Sequence, residues 1–530
     1  MRIQILILAM CCVACAENSL QISTPPTLEL STSQIMRPSL VKLVARVSKD
    51  TSKVEFFQDS QSLGVDSAAP FETQLALTKA EQVTHQFTVK AFNAAGKSAS
   101  SAAVKLEVNI AGKVWFVSKS GSDANDGLIE GKPLLTIQNA ANKSNPGDTI
   151  LVMNGTYTNP DQNDNVVTMN RSGTANAWIA LMAYPGQTPK IQARNWQGIS
   201  VQASYILVDG FEVEGNRDQI TLEYALNEKN NNGNPLTSGN CIGVSEKYNT
   251  SILSHHVIVR NNMVSKCPGG GIYTIHADHV TIEDNTVWGN SYYSPYDTSG
   301  ISMYQNWNSD TSTGYKMIVR RNIVYGNQNK IPFIASDPDP AKRVITDGNG
   351  IIIDDTRNTQ NNSTLGIYTG RTLVENNVVF ENGARGLHVY SSDHVDILNN
   401  TSYHNSFQPE TPEGEASTIT ASDVRVFNNI LVPRPDRVSI TRYSSDAAEK
   451  ATQVFERNLV FGGLGFDADK TTNLIGIDPK FLDLSIKDFR LQNDSPAIDA
   501  GSSSLSAKDD IEGKSRPLGA GIDLGAYEVR

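Results

Sequence analysis

Between residues 20 and 110 apolar and polar positions alternate in short runs. Leu40-Val41-Lys42-Leu43-Val44-Ala45-Arg46-Val47 is one, Val54-Glu55-Phe56-Phe57 a second and Phe87-Thr88-Val89-Lys90-Ala91-Phe92 a third. A period of two puts alternate side chains on one strand face, and turn residues separate the runs, which predicts an antiparallel β-sandwich. From residue 113 the pattern becomes a repeat. An apolar strand of the form Val-x-Ile/Val leads to an asparagine and a second short apolar pair, as in Val257-Ile258-Val259-Arg260-Asn261-Asn262 and Val280-Thr281-Ile282-Glu283-Asp284-Asn285. The aligned asparagines Asn262, Asn285, Asn322, Asn377, Asn400 and Asn429 lie 23, 37, 55, 23 and 29 residues apart. The shortest spacing is one coil of a parallel β-helix, and the longer ones carry insertions. Each coil has an apolar strand face that only a stacked neighbour can cover. Asparagine tolerates a left-handed turn, and its amide can bond to the coils above and below. Gly271, Gly300, Gly350 and Gly386 precede the next strand and mark a second corner.

Aligning the strands after these glycines places Ile272, Ile301, Ile351 and Leu387 inward, followed two residues later by Thr274, Met303, Ile353 and Val389. The positions between and after them face outward: Tyr273 and Ile275, Ser302 and Tyr304, Ile352 and Asp354, His388 and Tyr390. Neighbouring coils stack about 4.8 Å apart. Tyr304, Asp354 and Tyr390 therefore form one outward row, with His388 and Asp355 beside it. Acid, hydroxyl and imidazole groups on a sheet face outside the core suggest a sugar-binding groove.

The flanks carry two resemblances. Val54-Glu55-Phe56-Phe57 through Leu63-Gly64 to Pro70-Phe71, with Ala91-Phe92-Asn93-Ala94-Ala95-Gly96, resembles the bacterial immunoglobulin-like modules of secreted carbohydrate enzymes. Val114-Trp115-Phe116-Val117 through Gly121-Ser122-Asp123-Ala124-Asn125-Asp126-Gly127, then Pro146-Gly147-Asp148-Thr149-Ile150 and Asn154-Gly155-Thr156-Tyr157, is similar to the cap and first coil of pectate-lyase-like right-handed parallel β-helix proteins. The tail, with Asp478-Pro479-Lys480-Phe481, Ser495-Pro496-Ala497-Ile498-Asp499 and Asp523-Leu524-Gly525-Ala526-Tyr527-Glu528, resembles a C-terminal module of secreted β-helix proteins. The expected fold is all-β: a right-handed parallel β-helix (solenoid) over 113–475, preceded by a small β-sandwich over 20–110 and followed by a C-terminal module over 476–530. The resemblance speaks for fold more than for reaction, because one fold hosts many chemistries.

Charge and the N-terminus narrow the setting. The 45 Lys+Arg against 56 Asp+Glu disfavour a nucleic-acid partner, which needs a basic surface. An acidic sugar polymer stays open, because a local cation cluster can hold one. Met1-Arg2-Ile3-Gln4 followed by the apolar run to Ala14 reads as a secretory signal over 1–16, too short to span a membrane. Ala14-Cys15-Ala16 fits a cleavage site, and Cys12-Val13-Ala14-Cys15 equally resembles a lipobox that would leave a lipid anchor on Cys15. The expected location is secreted, periplasmic or lipid-anchored on an outer membrane, the expected state a monomer. Cys241 and Cys267 remain in the body, either as a disulfide or as two buried thiols.

Chemistry concentrates in Asp347-Gly348-Asn349-Gly350-Ile351-Ile352-Ile353-Asp354-Asp355-Thr356-Arg357-Asn358. Asp347, Asn349, Asp354 and Asp355 offer oxygen ligands for calcium. Asp354 and Asp355 could instead serve as general acid and base in glycoside hydrolysis, with Glu246 as a third carboxylate, or only close a turn. A lyase acting on a uronate chain must neutralise the sugar carboxylate, take the C5 proton and assist departure of the O4 group. The catalytic candidates are Asp354, Asp355, His388, Tyr304 and Arg357. The substrate-binding candidates are Tyr390, Arg385, Trp307, Tyr273 and Lys330, the aromatic ones because rings stack on sugars. One pectate lyase group carries a catalytic lysine in a Gly-Phe-Lys-Leu-Gly-like strand; here Gly350-Ile351-Ile352-Ile353-Asp354 stands instead, so no lysine base carries over. The leading expectation is a lyase that cleaves an acidic polysaccharide by β-elimination with calcium; the alternatives are a glycoside hydrolase and a non-catalytic glycan-binding solenoid.

Overall fold

The computed structural model describes residues 24–465 and 467–529; the expected signal over 1–16, with Cys15, lies outside them. The chain divides into two units between Ala111 and Gly112. In the first, Thr27–Leu30, Ser39–Arg46 and Glu72–Leu77 form one antiparallel sheet, and a second is built around Thr51–Gln58, Gln82–Asn93 and Val104–Asn109. Alternation works here as the pattern predicts: Val41, Leu43, Val54, Phe56, Phe87, Val89 and Leu106 are buried, and no disulfide is needed to hold the sandwich.

The second unit is a right-handed parallel β-helix with two eleven-stranded sheets and one of nine strands. The helix Ile137–Lys143, N-capped by the Thr136 hydroxyl, lays Ile137, Ala140 and Ala141 onto the core near its start. The asparagine column is continuous. The side-chain amide of Asn262 donates to Asn285, Asn285 to Asn322, Asn322 to Asn377, Asn377 to Asn400 and Asn400 to Asn429, each at 2.9–3.0 Å, and the column continues to Asn458 and Asn473. The left-handed backbone belongs not to these asparagines but to the residues before them, Asn261, Asp284, Arg321, Asn376, Asn399 and Asn428. The ladder asparagine instead turns its amide inward, where it satisfies buried backbone groups. A second ladder, Asn290–Asn327–Asn382–Asn405, runs parallel to the first and ends on the buried Glu415 carboxylate.

The corner glycines are required by stacking rather than by a left-handed backbone. A Cβ on Gly271 would lie 2.6 Å from the Gly300 carbonyl oxygen, and one on Gly300 or Gly350 would lie 2.8 Å from the corresponding oxygen of the next coil. Cys241 and Cys267 form a disulfide within the core. The C-terminal segment packs Phe481, Phe489, Leu491 and Leu524 on the outer face of one eleven-stranded sheet, against Phe380, Tyr403 and Ile430. The nine-stranded sheet is left to form the floor of a groove.

Candidate functional site

The floor strands after the corner glycines are Ile272–Ile275, Ile301–Tyr304, Ile351–Asp354 and Leu387–Tyr390. Their register pairs Tyr304 with Asp354 and Asp354 with Tyr390, and sets Tyr273, Ser302, Ile352 and His388 in the adjoining row. Inward Ile272, Ile301, Ile351 and Leu387 are buried in the core, so the alternate residues point away from it. A groove of about 1830 Å³ runs over this sheet, with Tyr273, Tyr304, Asp354, Arg385, His388 and Tyr390 in its walls. The insertion ahead of Gly350 supplies part of the rim through Phe333, Val344 and Thr346.

Four carboxylates line this groove, Asp164 toward the N-terminal coils and Asp297, Asp347 and Asp354 beside the row of Tyr304 and Tyr390. Burial and the neighbouring Asp347 push the Asp297 carboxyl well above the usual carboxylate range. Burial, then Asp347 and Asp355, do the same to Asp354. Asp347 is also raised, chiefly by burial, with Arg385 opposing. One oxygen of Asp297 accepts the Thr346 backbone N–H and hydroxyl; the other is buried without a hydrogen-bond partner. Oxygen donors of this kind suit calcium, but among the described residues the three do not bring one oxygen each within 4.8 Å of one another, so a cation here would need the ligand's own oxygens to complete its shell.

His388 is buried in the wall, and desolvation, then Arg385, hold its imidazole well below its ordinary pKa. Its Nδ1 lies 3.3 Å from the Ser417 carbonyl, which can only accept, so Nδ1 carries the proton and Nε2 keeps its lone pair. The Tyr304 hydroxyl accepts from Asn361 at 2.7 Å, and burial with the charges of Asp354 and Asp355 raises its pKa, so it stays protonated. Arg385 donates to the Thr346 carbonyl and pairs with Glu413 at 2.8 Å, while its Nε is buried and unpartnered. The Tyr273 hydroxyl accepts from Gln197.

Several sequence candidates lie elsewhere. Asp355 has a left-handed backbone and a buried side chain whose oxygens accept from Thr359, Gln360 and Gln305, so it closes the turn after the strand and does not join Asp354 in the groove. The Asn349 amide donates to Ser299 and Asp347, and its oxygen accepts the Arg385 backbone N–H. Arg357 is held by Asp393 and Glu449 outside the groove. Trp307 donates to the Ser254 carbonyl and packs edge-on to His255. Lys330 sits over the Tyr292 ring near Arg217. Glu246 pairs with His276 at 3.1 Å.

Asp297 escaped the sequence reading because it lies in an insertion, not at a repeat position. A signal was present: Asp297 stands three residues before Gly300, just as Asp347 stands three before Gly350. A different cluster, Asp278, His279 and Asp310, places three potential ligand atoms within 4.8 Å of one another. The buried Lys316 ammonium already fills it, 2.7 Å from Asp278 and 2.9 Å from Asp310.

A solenoid with this groove defines a class of β-helix proteins, and comparison places the chain within it. A family profile described as Pel9A-like, right handed beta helix region, matches residues 115–416, and the chain belongs to that family. Pectate lyase PEL9 of Emericella nidulans is 39% identical over 83 residues, which is 16% of this chain and 19% of that protein, so the match spans about a fifth of the relative's length. Among solved structures, pectate lyase Pel9A is 18% identical with a TM-score of 0.46, covering 79% of this chain and 97% of its own. A rhamnogalacturonan lyase is 15% identical with a TM-score of 0.36, covering 72% and 94%.

Proposed function

We propose that the protein is a polysaccharide lyase that cleaves a uronate-containing polymer by β-elimination in this groove. The observation that carries the reading is a neutral histidine with a fixed tautomer in the same wall as three unpaired carboxylates. His388 takes the C5 proton on Nε2, and Tyr304, held protonated, donates to the departing O4. Arg385, the cation in the groove lining, stabilises the charge that develops on the sugar carboxylate. Calcium shared between the groove carboxylates, with Asp297, Asp347 and Asp354 as the donors, and the substrate's own oxygens would neutralise the uronate carboxylate and acidify the C5 proton. The disulfide and the signal-like N-terminus support an oxidising location outside the cytoplasm, and no helix among the described residues is long and apolar enough to cross a membrane.

A second reading, glycoside hydrolysis, is favoured by one feature: the raised carboxyls of Asp297 and Asp354, a property a general acid needs. Product chemistry separates the two. A panel of acidic and neutral polymers is incubated with the protein, with and without chelator. Ultraviolet absorbance from an unsaturated uronate end, lost with chelator, supports the lyase; new reducing ends without that absorbance support the hydrolase.

A further inference from the structure

The groove continues well beyond the catalytic residues, and its two ends differ in chemistry. Toward the N-terminal coils the walls carry neutral amides, among them Asn163, Asn165, Asn170, Gln197 and Gln202, together with the half-buried ring of Trp196. Among the described residues the side chains of Asn163 and Asn170 have no intramolecular hydrogen-bond partner, so both are free to meet sugar hydroxyls. Charge is distributed the other way. Of the residues lining the groove, Arg385 is the single Arg or Lys, and it is already paired with Glu413; the aspartates are four, Asp164, Asp297, Asp347 and Asp354. Lys247 approaches the amide end only through the Asn170 carbonyl, at 3.5 Å.

A continuous polyuronate would lay one negative charge per residue along these walls. Calcium at the carboxylate cluster can answer for the uronate it meets. At the amide end only the Lys247 ammonium, outside the lining, stands near the next ones, and Asp164 in the wall repels them. Amide groups and an aromatic face are instead the chemistry that holds uncharged sugars.

We propose that the substrate is an acidic heteropolysaccharide, in which a uronate reaches the carboxylate cluster singly and the residues lying toward the amide end are neutral. This rests on the lyase reading above. Two probes test it: polygalacturonate, a homopolymer of uronate, and an unbranched rhamnogalacturonan, in which uronate alternates with a neutral sugar. Binding to the His388→Ala protein is measured by affinity electrophoresis with calcium at low salt, and the KM ratio of the wild-type protein repeats the comparison should that variant not fold. The alternating polymer is expected to bind at least tenfold tighter. Equal or tighter binding of the homopolymer overturns the proposal. The double substitution Asn163→Lys with Asn170→Lys is expected to tighten polygalacturonate binding severalfold at low salt; no gain contradicts the placement of sugars along the amide end. The lyase reading fails separately. Reducing ends without unsaturated product remove it, while a preference for the alternating polymer still upholds the charge argument.

Discussion

Two clusters of acids lie on neighbouring surfaces of the same solenoid, and they are built in opposite ways. Around Asp278 the charges are closed off. Lys316, wholly buried, bridges Asp278 and Asp310, His279 reaches Asp310 at 2.9 Å, and the Tyr368 hydroxyl donates to Asp278 at 2.7 Å. The Lys316 hydrogen bond holds the Asp310 carboxyl well below its usual range. In the groove, Asp297, Asp347 and Asp354 are bridged by no such buried ammonium, Arg385 acts only against the rise at Asp347, and all three are pushed upward. The first cluster spends its charge on itself and serves the fold. The second leaves charge uncompensated, which costs stability and is kept where a ligand can complete it.

The contrast can be broken from either side. Lys316→Met strands Asp278 in the interior and is expected to cost about 3–5 kcal/mol, read as a lower midpoint in urea unfolding; a loss under about 1 kcal/mol would mean that the cluster is not structural. His388→Ala is expected to lower kcat per folded molecule by about 10²–10³-fold with unchanged circular dichroism, at a stability cost of about 1–3 kcal/mol from the emptied space and the lost bond to the Ser417 carbonyl. Asn322→Ala interrupts the first ladder. It leaves the Asn285 amide short of an acceptor and the Ile282 carbonyl short of a donor, and should cost about 2 kcal/mol in thermal or urea unfolding, without altering turnover per folded molecule.

The smallest effect concerns Glu415 at the end of the second ladder. Burial raises its carboxyl to about 7, above the unfolded value of 4.5. A group raised on folding contributes its stability fully below the unfolded pKa and loses it as pH rises through the folded one, so the wild-type protein should weaken between pH 4.5 and 7. Glu415→Gln removes that slope, at the cost of the hydrogen bond from the Asn405 amide, for a net gain on the order of 1 kcal/mol at pH 8. Melting temperatures across pH 4–8 for both proteins provide the check.

The architecture was readable because stacking imposes a period. Asn262 through Asn429, the corner glycines and the inward Ile272–Ile301–Ile351–Leu387 column each repeat a packing constraint, and the outward row of Tyr304, Asp354 and Tyr390 follows from register alone. The site was less readable because backbone direction and loop path do not repeat. Asp355 looks like the partner of Asp354, yet its left-handed φ turns it into the corner. Arg357 and Trp307 are near the groove in sequence and find partners on other surfaces. Asp297 lies in an insertion, where alignment by strand pattern gives no register; the second asparagine ladder, Asn290 to Asn405, instead repeats five residues after Asn285, Asn322, Asn377 and Asn400 and was carried by the same period.

The most direct test of whether uncompensated charge marks the working site is Asp354→Asn, followed in melting and in turnover together. The account predicts a melting temperature equal to or above that of the wild-type protein, since a buried like charge has been removed, with turnover reduced by at least a hundredfold. A protein that melts lower and keeps its turnover per folded molecule would contradict it, and would make Asp354 a structural acid of the same kind as Asp278.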